Sequence, residues 1–164
     1  MAVPDPVNYS LPQANVSFTP TGGSKRHMGN CTSFTYTPTI DKLDHFSRMA
    51  PIRVKDRSVV RQVGATVAVT LEEIVDENWA IFMMADANTS SINGMTNTSQ
   101  EGLLEFDGTN DIGAKIHWEG KVNFIPSGDL QFLSDDWQAI QLSAEVLIDN
   151  GAYGQTTITP GVTA

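Results

Sequence analysis

Val63-Gly64-Ala65-Thr66-Val67-Ala68-Val69-Thr70-Leu71-Glu72-Glu73 is the longest alternating run in the chain. Val63, Ala65, Val67, Val69 and Leu71 fall on one side, and Gln62, Gly64, Thr66, Ala68, Thr70 and Glu72 on the other. A period of two marks a strand with one face in a core. The opposite face carries only polar and small residues, which suits solvent or a lumen where bulk must be avoided. Upstream, Thr32, Phe34 and Tyr36 alternate with Cys31, Ser33, Thr35 and Thr37, and Pro38 ends that strand or places it at an edge. Near the C-terminus, Ile140, Leu142, Ala144, Val146 and Ile148 alternate with Gln141, Ser143 and Glu145, closing at Asn150-Gly151.

Between the first two strands, Ile40 to Asp56 has no clean period and reads as a long protruding loop. Met49, Pro51 and Ile52 sit there among Arg48, Arg53 and Lys55. Long structureless loops in compact domains are usually functional, and apolar anchors ringed by cations suit an interface. The alternative is a loop folded back on its own domain. After the long strand, acidic Asp76 and Glu77 precede Trp79, Phe82 and Met83 at helical spacing, predicting a helix over 76–85 capped by Asp76. Shorter strands are expected at Gly102–Phe106, Ala114–Trp118, from Val122, and at Leu130–Leu133, with turns at Asn110–Gly113 and Ser127–Asp129. Residues 1–28, rich in Pro, read as an extended arm with one short strand at Asn15–Thr19 and a solvated basic turn at Lys25-Arg26-His27. Ala87–Ser99 reads as a linker, and Ala152–Ala164 as a second arm. The fold class is mainly β, a β-sandwich or flattened barrel with one short flanking helix, in a single domain spanning 1–164.

The charged fraction is only 18%, and Thr, Ser and Asn are plentiful, as suits strands. The net charge of −9 is unevenly spread. Residues 1–62 hold eight Lys/Arg against four Asp/Glu, or +4, and residues 63–164 hold two against fifteen, or −13. Solvated surface charge accounts for such a split, and so does self-complementarity between copies. The acidic balance disfavours tight nucleic-acid binding. No apolar run is long enough for a membrane span, and the N-terminus lacks the pattern of a signal peptide. Cys31, the single cysteine, reads as a small buried hydrophobe.

Catalytic constellations are not evident. His27, His45 and His117 are scattered, without a second His or Cys at ligand spacing. Glu72-Glu73 and Asp135-Asp136 are adjacent, so on a strand each pair points to opposite faces. Asp107-Gly108-Thr109-Asn110-Asp111 lacks the twelve-residue frame of a calcium loop. An enzyme is the weakest reading, and no cofactor or metal is expected.

One ordered set of motifs resembles a known family. Gly29-Asn30, the aromatic strand through Phe34 and Tyr36, Leu43-Asp44-His45-Phe46-Ser47, Lys55-Asp56 and the strand ending in Glu72-Glu73 are similar to the tail tube (major tail) proteins of long-tailed bacteriophages. The resemblance covers roughly residues 29–85, with weaker echoes at 119–150. It implies a structural virion protein whose hexameric rings stack into a hollow tube that double-stranded DNA traverses without tight binding. It implies that strands Cys31–Pro38, Arg61–Glu73 and Gln138–Asp149 contribute to two sheets, that a helix over Asp76–Ala85 lies outside the barrel, and that the 40–56 loop reaches the next ring. Contact candidates are Lys42, Asp44, His45, Phe46, Arg48, Ile52, Arg53, Lys55 and Arg57, with Asp135 and Asp136 as receivers. Channel-lining candidates are Gln62, Thr66, Thr70, Glu72, Gln141, Ser143 and Glu145. The implied partners are further copies, then tape-measure, tail-terminator and tail-tip proteins, and the implied location is the virion tail after synthesis in the host cytoplasm. Related alternatives are tubes of phage-derived bacteriocins, gene transfer agents or type VI secretion systems. An alternative of another class is a monomeric β-sandwich binding module, which needs an exposed aromatic platform from Trp79, Trp118 or Trp137.

Overall fold

The computed structural model describes residues 13–49, 51–86, 91–109, 113–129, 132–133 and 135–161. Its strands are β1 (Gln13–Pro20), β2 (Arg26–His27), β3 (Cys31–Ser47), β4 (Val54–Leu71), β5 (Gln100–Thr109), β6 (Lys115–Ile125), β7 (Ile140–Val146) and β8 (Gln155–Thr159), with helix α1 (Asp76–Phe82) between β4 and β5. All pairings are antiparallel, in the order β2-β1-β5-β6-β7-β4-β3. β8 joins β6 along Lys115–Glu119, while β7 takes Val122–Ile125.

The sheet curls on itself into a flattened barrel. Phe34 of β3 reaches Phe106 of β5 and Trp118 of β6, with ring centroids 4.8 and 5.5 Å apart, although these strands are far apart in the sheet order. Alternation supplies the core, as the sequence implies. Ala65, Val67, Val69 and Leu71 from β4 and Ile140, Leu142, Ala144 and Val146 from β7 face Val16, Phe18, Leu104, Trp118, Val122 and Phe124. Phe18 meets Phe124 edge-on at 5.1 Å.

Several expectations need correction. Ile40 to Asp56 is not a structureless loop but the distal part of a paired ribbon, β3 to β4, registered from Cys31 against Leu71 to Ser47 against Val54. Register shifts fall at Cys31/Ser33, Asp41/Lys42 and His45/Phe46. Each leaves one residue unpaired (Thr32, Arg61 and Asp56) and breaks the strict period that marks a strand. Pro38 does not end β3; it lies within it, tolerated because β3 is the edge strand. The segment before residue 28 holds the strand expected at Asn15–Thr19, but not within a loose arm: β1 pairs with β5 along its whole length and buries Val16, Ser17 and Phe18. Its first twelve residues lie outside the described ones. Lys25-Arg26-His27 is exposed at Lys25 and His27 but is not a turn, since Arg26 and His27 pair with Phe18 and Ser17.

β6 is one strand where the sequence suggests two. Gly120 in its middle leaves room for Trp118, whose ring lies 2.8 Å from where a Cβ would stand. The C-terminal segment forms β8 rather than an arm, with residues 162–164 outside the described ones. Of the strand expected at Leu130–Leu133, Leu130 and Gln131 lie outside the described residues, and Phe132 and Leu133 are exposed and irregular. Residues 87–90 of the linker and 110–112 of the expected turn also lie outside them.

The helix is shorter than 76–85, and Asp76 does not cap it; Val75 holds the cap position with no side-chain bond. It stops because Met84 turns left-handed at φ 49°, so that Met84 N–H donates to Ile81 O and Ala85 N–H to Ala80 O, a Schellman closure. Asn78, Ala80 and Ile81 form its buried side, while Trp79, Phe82 and Met83 are only half-buried.

Candidate assembly surfaces

Among the described residues, β3 and β4 have only each other as sheet neighbours beyond the Ala65–Val146 pair. The free ribbon, Thr37 to Ser47 on one strand, projects about 35 Å at 3.3 Å per residue. Its side chains are exposed, ten large hydrophobic ones among them if Tyr36 at its base is included: Tyr36, Ile40, Leu43, Phe46, Met49, Ile52, Val54, Val59, Val60 and Val63. A two-stranded ribbon is marginal in water by itself, and an apolar surface of this extent is uncommon on a monomer. Local polar contacts stiffen it. Ser58 Oγ donates to Asp44 Oδ1 at 2.6 Å, and Lys55 Nζ lies 2.7 Å from Asp44 Oδ2. These two groups hold the Asp44 carboxyl below its ordinary range. His45 Nδ1 lies 2.6 Å from Asp56, and Arg61 4.0 Å from Asp41.

All nine contact candidates from Lys42 to Arg57 lie on this ribbon. Among the described residues Arg48, Arg53 and Arg57 make no ion pair. Asp135 and Asp136 precede β7 in the chain. β7 starts at Ile140 beside Leu71 and ends at Val146 beside Ala65, where the ribbon departs. Ile140, where β7 begins, therefore lies at the opposite end of the body from the ribbon. Helix α1 follows Leu71 and shares that end, with Trp79 stacked edge-on against Phe132 at 5.7 Å. Phe132, Leu133 and Trp137 are 74%, 94% and 93% exposed; the sequence reading names Trp137 for an aromatic platform and places Phe132 and Leu133 in a short strand. Trp118, by contrast, is core at 5% exposure.

A third surface is the outer side of β3, β4 and β7. Register places Thr66 beside Glu145, Ala68 beside Ser143 and Thr70 beside Gln141. Thr37, Thr35 and Ser33 continue the row across β3. Of the channel-lining candidates, Thr66, Thr70, Gln141, Ser143 and Glu145 are thus adjacent. Glu72 stands at one end, receiving a 2.5 Å hydrogen bond from Asn30 Nδ2, and Gln62 begins the ribbon. The face is small and polar, with Glu72 and Glu145 its charges. The outer side of β5 and β6 differs: Lys25 pairs with Glu105, Lys121 with Glu101, and His117 with Asp107. The hydrogen bond from Lys25 to Glu105 raises the lysine pKa.

β3 has no strand on its outer edge among the described residues. Where it approaches β1, a cleft of about 560 Å³ is lined by Gln13–Asn15, Asn30–Phe34, Phe106 and Thr109. Among the described residues no group of three His, Cys, Asp or Glu is placed to hold a metal, and no helix is long and apolar enough to cross a membrane. Cys31 is half-buried; burial raises its pKa, and its thiol donates to Ser33 O at 3.2 Å.

Residues 19–94, the segment bearing the ribbon and α1, match a family described as protein of unknown function UCP028589. No curated protein matches the chain.

Proposed function

We propose that this protein is the subunit of a hollow tube, in which hexameric rings stack and genome DNA passes through the bore. The observation that carries the reading is the ribbon, a two-stranded projection with ten exposed large hydrophobic groups including Tyr36 at its base. Such a surface belongs against a neighbour. The free edge of β3 supports the same reading, because closing sheets around a ring removes the edges that single domains leave open. The small polar face of β3, β4 and β7 suits a bore wall. Its carboxylates, Glu72 and Glu145, repel phosphate within about 10 Å at ordinary salt, so DNA passes without sticking. Arg61 sits on the ribbon beside Asp41, off the proposed wall. The motif resemblance points to the tail of a virion, with tape-measure, terminator and tip proteins as partners and no catalytic step. Exposed Trp137, with Phe132 and Leu133, favours a second reading, a monomeric binding module with an aromatic platform.

Negative-stain electron microscopy of the purified protein beside an Arg53→Glu/Lys55→Glu/Arg57→Glu variant separates the two. Hollow stacked rings from the parent protein and none from the variant support a tube built through the ribbon. A monomer at millimolar concentration sinks the tube and leaves the binding module.

A further inference from the structure

We propose that the ribbon swings on a hinge at Gly64 and closes along β8 of its own chain, and that assembly requires it to open. The structure holds the open form. The closure itself does not need the tube reading; its effect on assembly rests on that reading. Strand registers put two open edges side by side. From His117 to Glu119, β6 pairs with β5 on one edge and with β8 on the other, so β8 lies on the edge that β7 also uses. Val122 pairs with Val146 of β7 and Glu119 with Gln155 of β8, three residues or about 10 Å further along. β8 therefore continues the line of β7 and runs the same way. β4 borders β7 from Leu71 to Ala65. Its next stretch, Gly64 to Arg57, would have β8 as an antiparallel neighbour, yet the two do not pair. Among the described residues β8 pairs with β6 alone. A cleft of about 460 Å³ opens where they part, with Gln62–Thr66 on one wall and Tyr153, just before β8, on the other.

Closing the gap joins matched edges. Continuing the β4–β7 register past the residue skipped at Arg61 sets Gln62 opposite Gln155, Val59 opposite Thr157 and Ser58 opposite Ile158. The faces agree. Val60 and Ile158, 53% and 63% exposed in the open form, both stand on the barrel side and become diagonal neighbours, which takes two large apolar groups out of water. Direct pairing is antiparallel, whereas a strand slipped between β4 and β8 would run parallel to one of them. The hinge is local. Gly64 has open space where a Cβ would stand, and the bulge at Arg61 already bends the ribbon nearby. Below the hinge, Tyr36 Oη donates to the Tyr153 carbonyl at 3.0 Å and fixes the ribbon's base to the segment that leads into β8. Above it, Asp44 ties Lys55 and Ser58 across the two strands, so the ribbon moves as a unit.

A cross-link reads the closure directly. Val59→Cys/Thr157→Cys in a Cys31→Ser background sets two thiols about 5 Å apart in the closed form only, within disulfide range. Val59→Cys/Thr109→Cys is the control, because Thr109 ends β5 on the far side of β6 from β8. Circular dichroism first confirms that each variant folds. With oxidised glutathione as the oxidant and the protein dilute, the Thr157 pair is expected to bridge about tenfold faster than the control. Equal rates overturn the closure. The parent protein gives a second reading with no substitution. Alternate amides of an open edge strand face solvent, so in the open form every second N–H of 155–159 exchanges freely. Closure is expected to slow those amides and the outward ones of 58–62 together, by about tenfold in NMR hydrogen exchange. Free exchange in both stretches overturns it, whether or not the variants fold. The cross-linked protein is expected to stay dispersed until dithiothreitol releases it, and assembly at the parent's rate while cross-linked overturns the link to assembly. Neither cross-linking nor exchange involves particles, so the absence of hollow tubes in the microscope rejects the tube and leaves the closure standing.

Discussion

Replacing Asn78 with Ala tests the joint between the N-terminal strands, the end of β4 and α1. The Asn78 side chain is fully buried. Its Nδ2 donates to the carbonyls of Met28 and Glu73, and its Oδ1 accepts from Arg26 Nη1 at 2.8 Å. Arg26 is half-buried; desolvation lowers its pKa, and the charge of Glu77 opposes that shift. Two neutral bonds at about 1 kcal/mol each and one charge-assisted bond at about 2 kcal/mol give roughly 4 kcal/mol. Water reaching the half-exposed Arg26 reduces this to about 3 kcal/mol. For a chain of this size that is a fall in Tm of roughly 6–12 °C. Arg26→Met removes only the third bond and is expected to cost about 1–2 kcal/mol. Asn78→Asp keeps the acceptor but cannot donate to the two carbonyls, so it falls near the Ala variant. Urea unfolding followed by tryptophan fluorescence, at a concentration below assembly, reads these differences. A loss under about 1 kcal/mol for Asn78→Ala means that the joint is not what holds α1 against the body.

Three further outcomes follow from the same geometry. Gly154→Ala puts a Cβ 2.8 Å from the Trp118 ring at φ +80°, and overpacking with left-handed strain is expected to cost about 2–4 kcal/mol by thermal unfolding; an unchanged Tm refutes that packing. Met49→Ser with Ile52→Ser alters side chains that are 99% and 77% exposed, so monomer stability should shift by less than about 0.5 kcal/mol. Assembly measured by light scattering should nonetheless be lost, and equal assembly of parent and variant counts against the ribbon. The Asp44 carboxyl is held low by Lys55 and Ser58, so its contribution to the ribbon is in place above the ordinary aspartate pKa and disappears as the pH falls through the lowered value. An NMR titration of Asp44 with a midpoint at or above the ordinary value contradicts that contact.

The parts of the fold legible in the sequence are those where burial imposes a strict period. β4 from Ala65 onward and β7 alternate cleanly because each has one face in the core. The ribbon was hidden because Arg61 and Asp56 are unpaired at register shifts, which swaps the parity of faces within a single strand. Neither ribbon face is buried, so no apolar row marks its direction. β2 is two residues long, and β8 is exposed at all five positions; both exist through their pairing partners rather than through a local signal. Gly120 reads as a break in a linear pattern, yet in three dimensions it is the space into which Trp118 folds. Of the candidate surfaces, the basic ribbon and the polar face of β4 and β7 follow from charge and alternation. Ser33, Thr35 and Thr37 join that face only through the register of β3. The exposure of Phe132, Leu133 and Trp137 depends on how the 126–139 connection leaves the barrel, and apolar residues in such a short run look like strand.

The central claim is most directly tested by helical reconstruction of the assembled protein from electron micrographs. The account predicts a sixfold hollow tube with Thr66, Thr70, Gln141, Ser143 and Glu145 on the bore and each ribbon crossing to the next ring. A particle without a bore, or a tube in which that face points outward and the ribbon folds back on its own subunit, contradicts it.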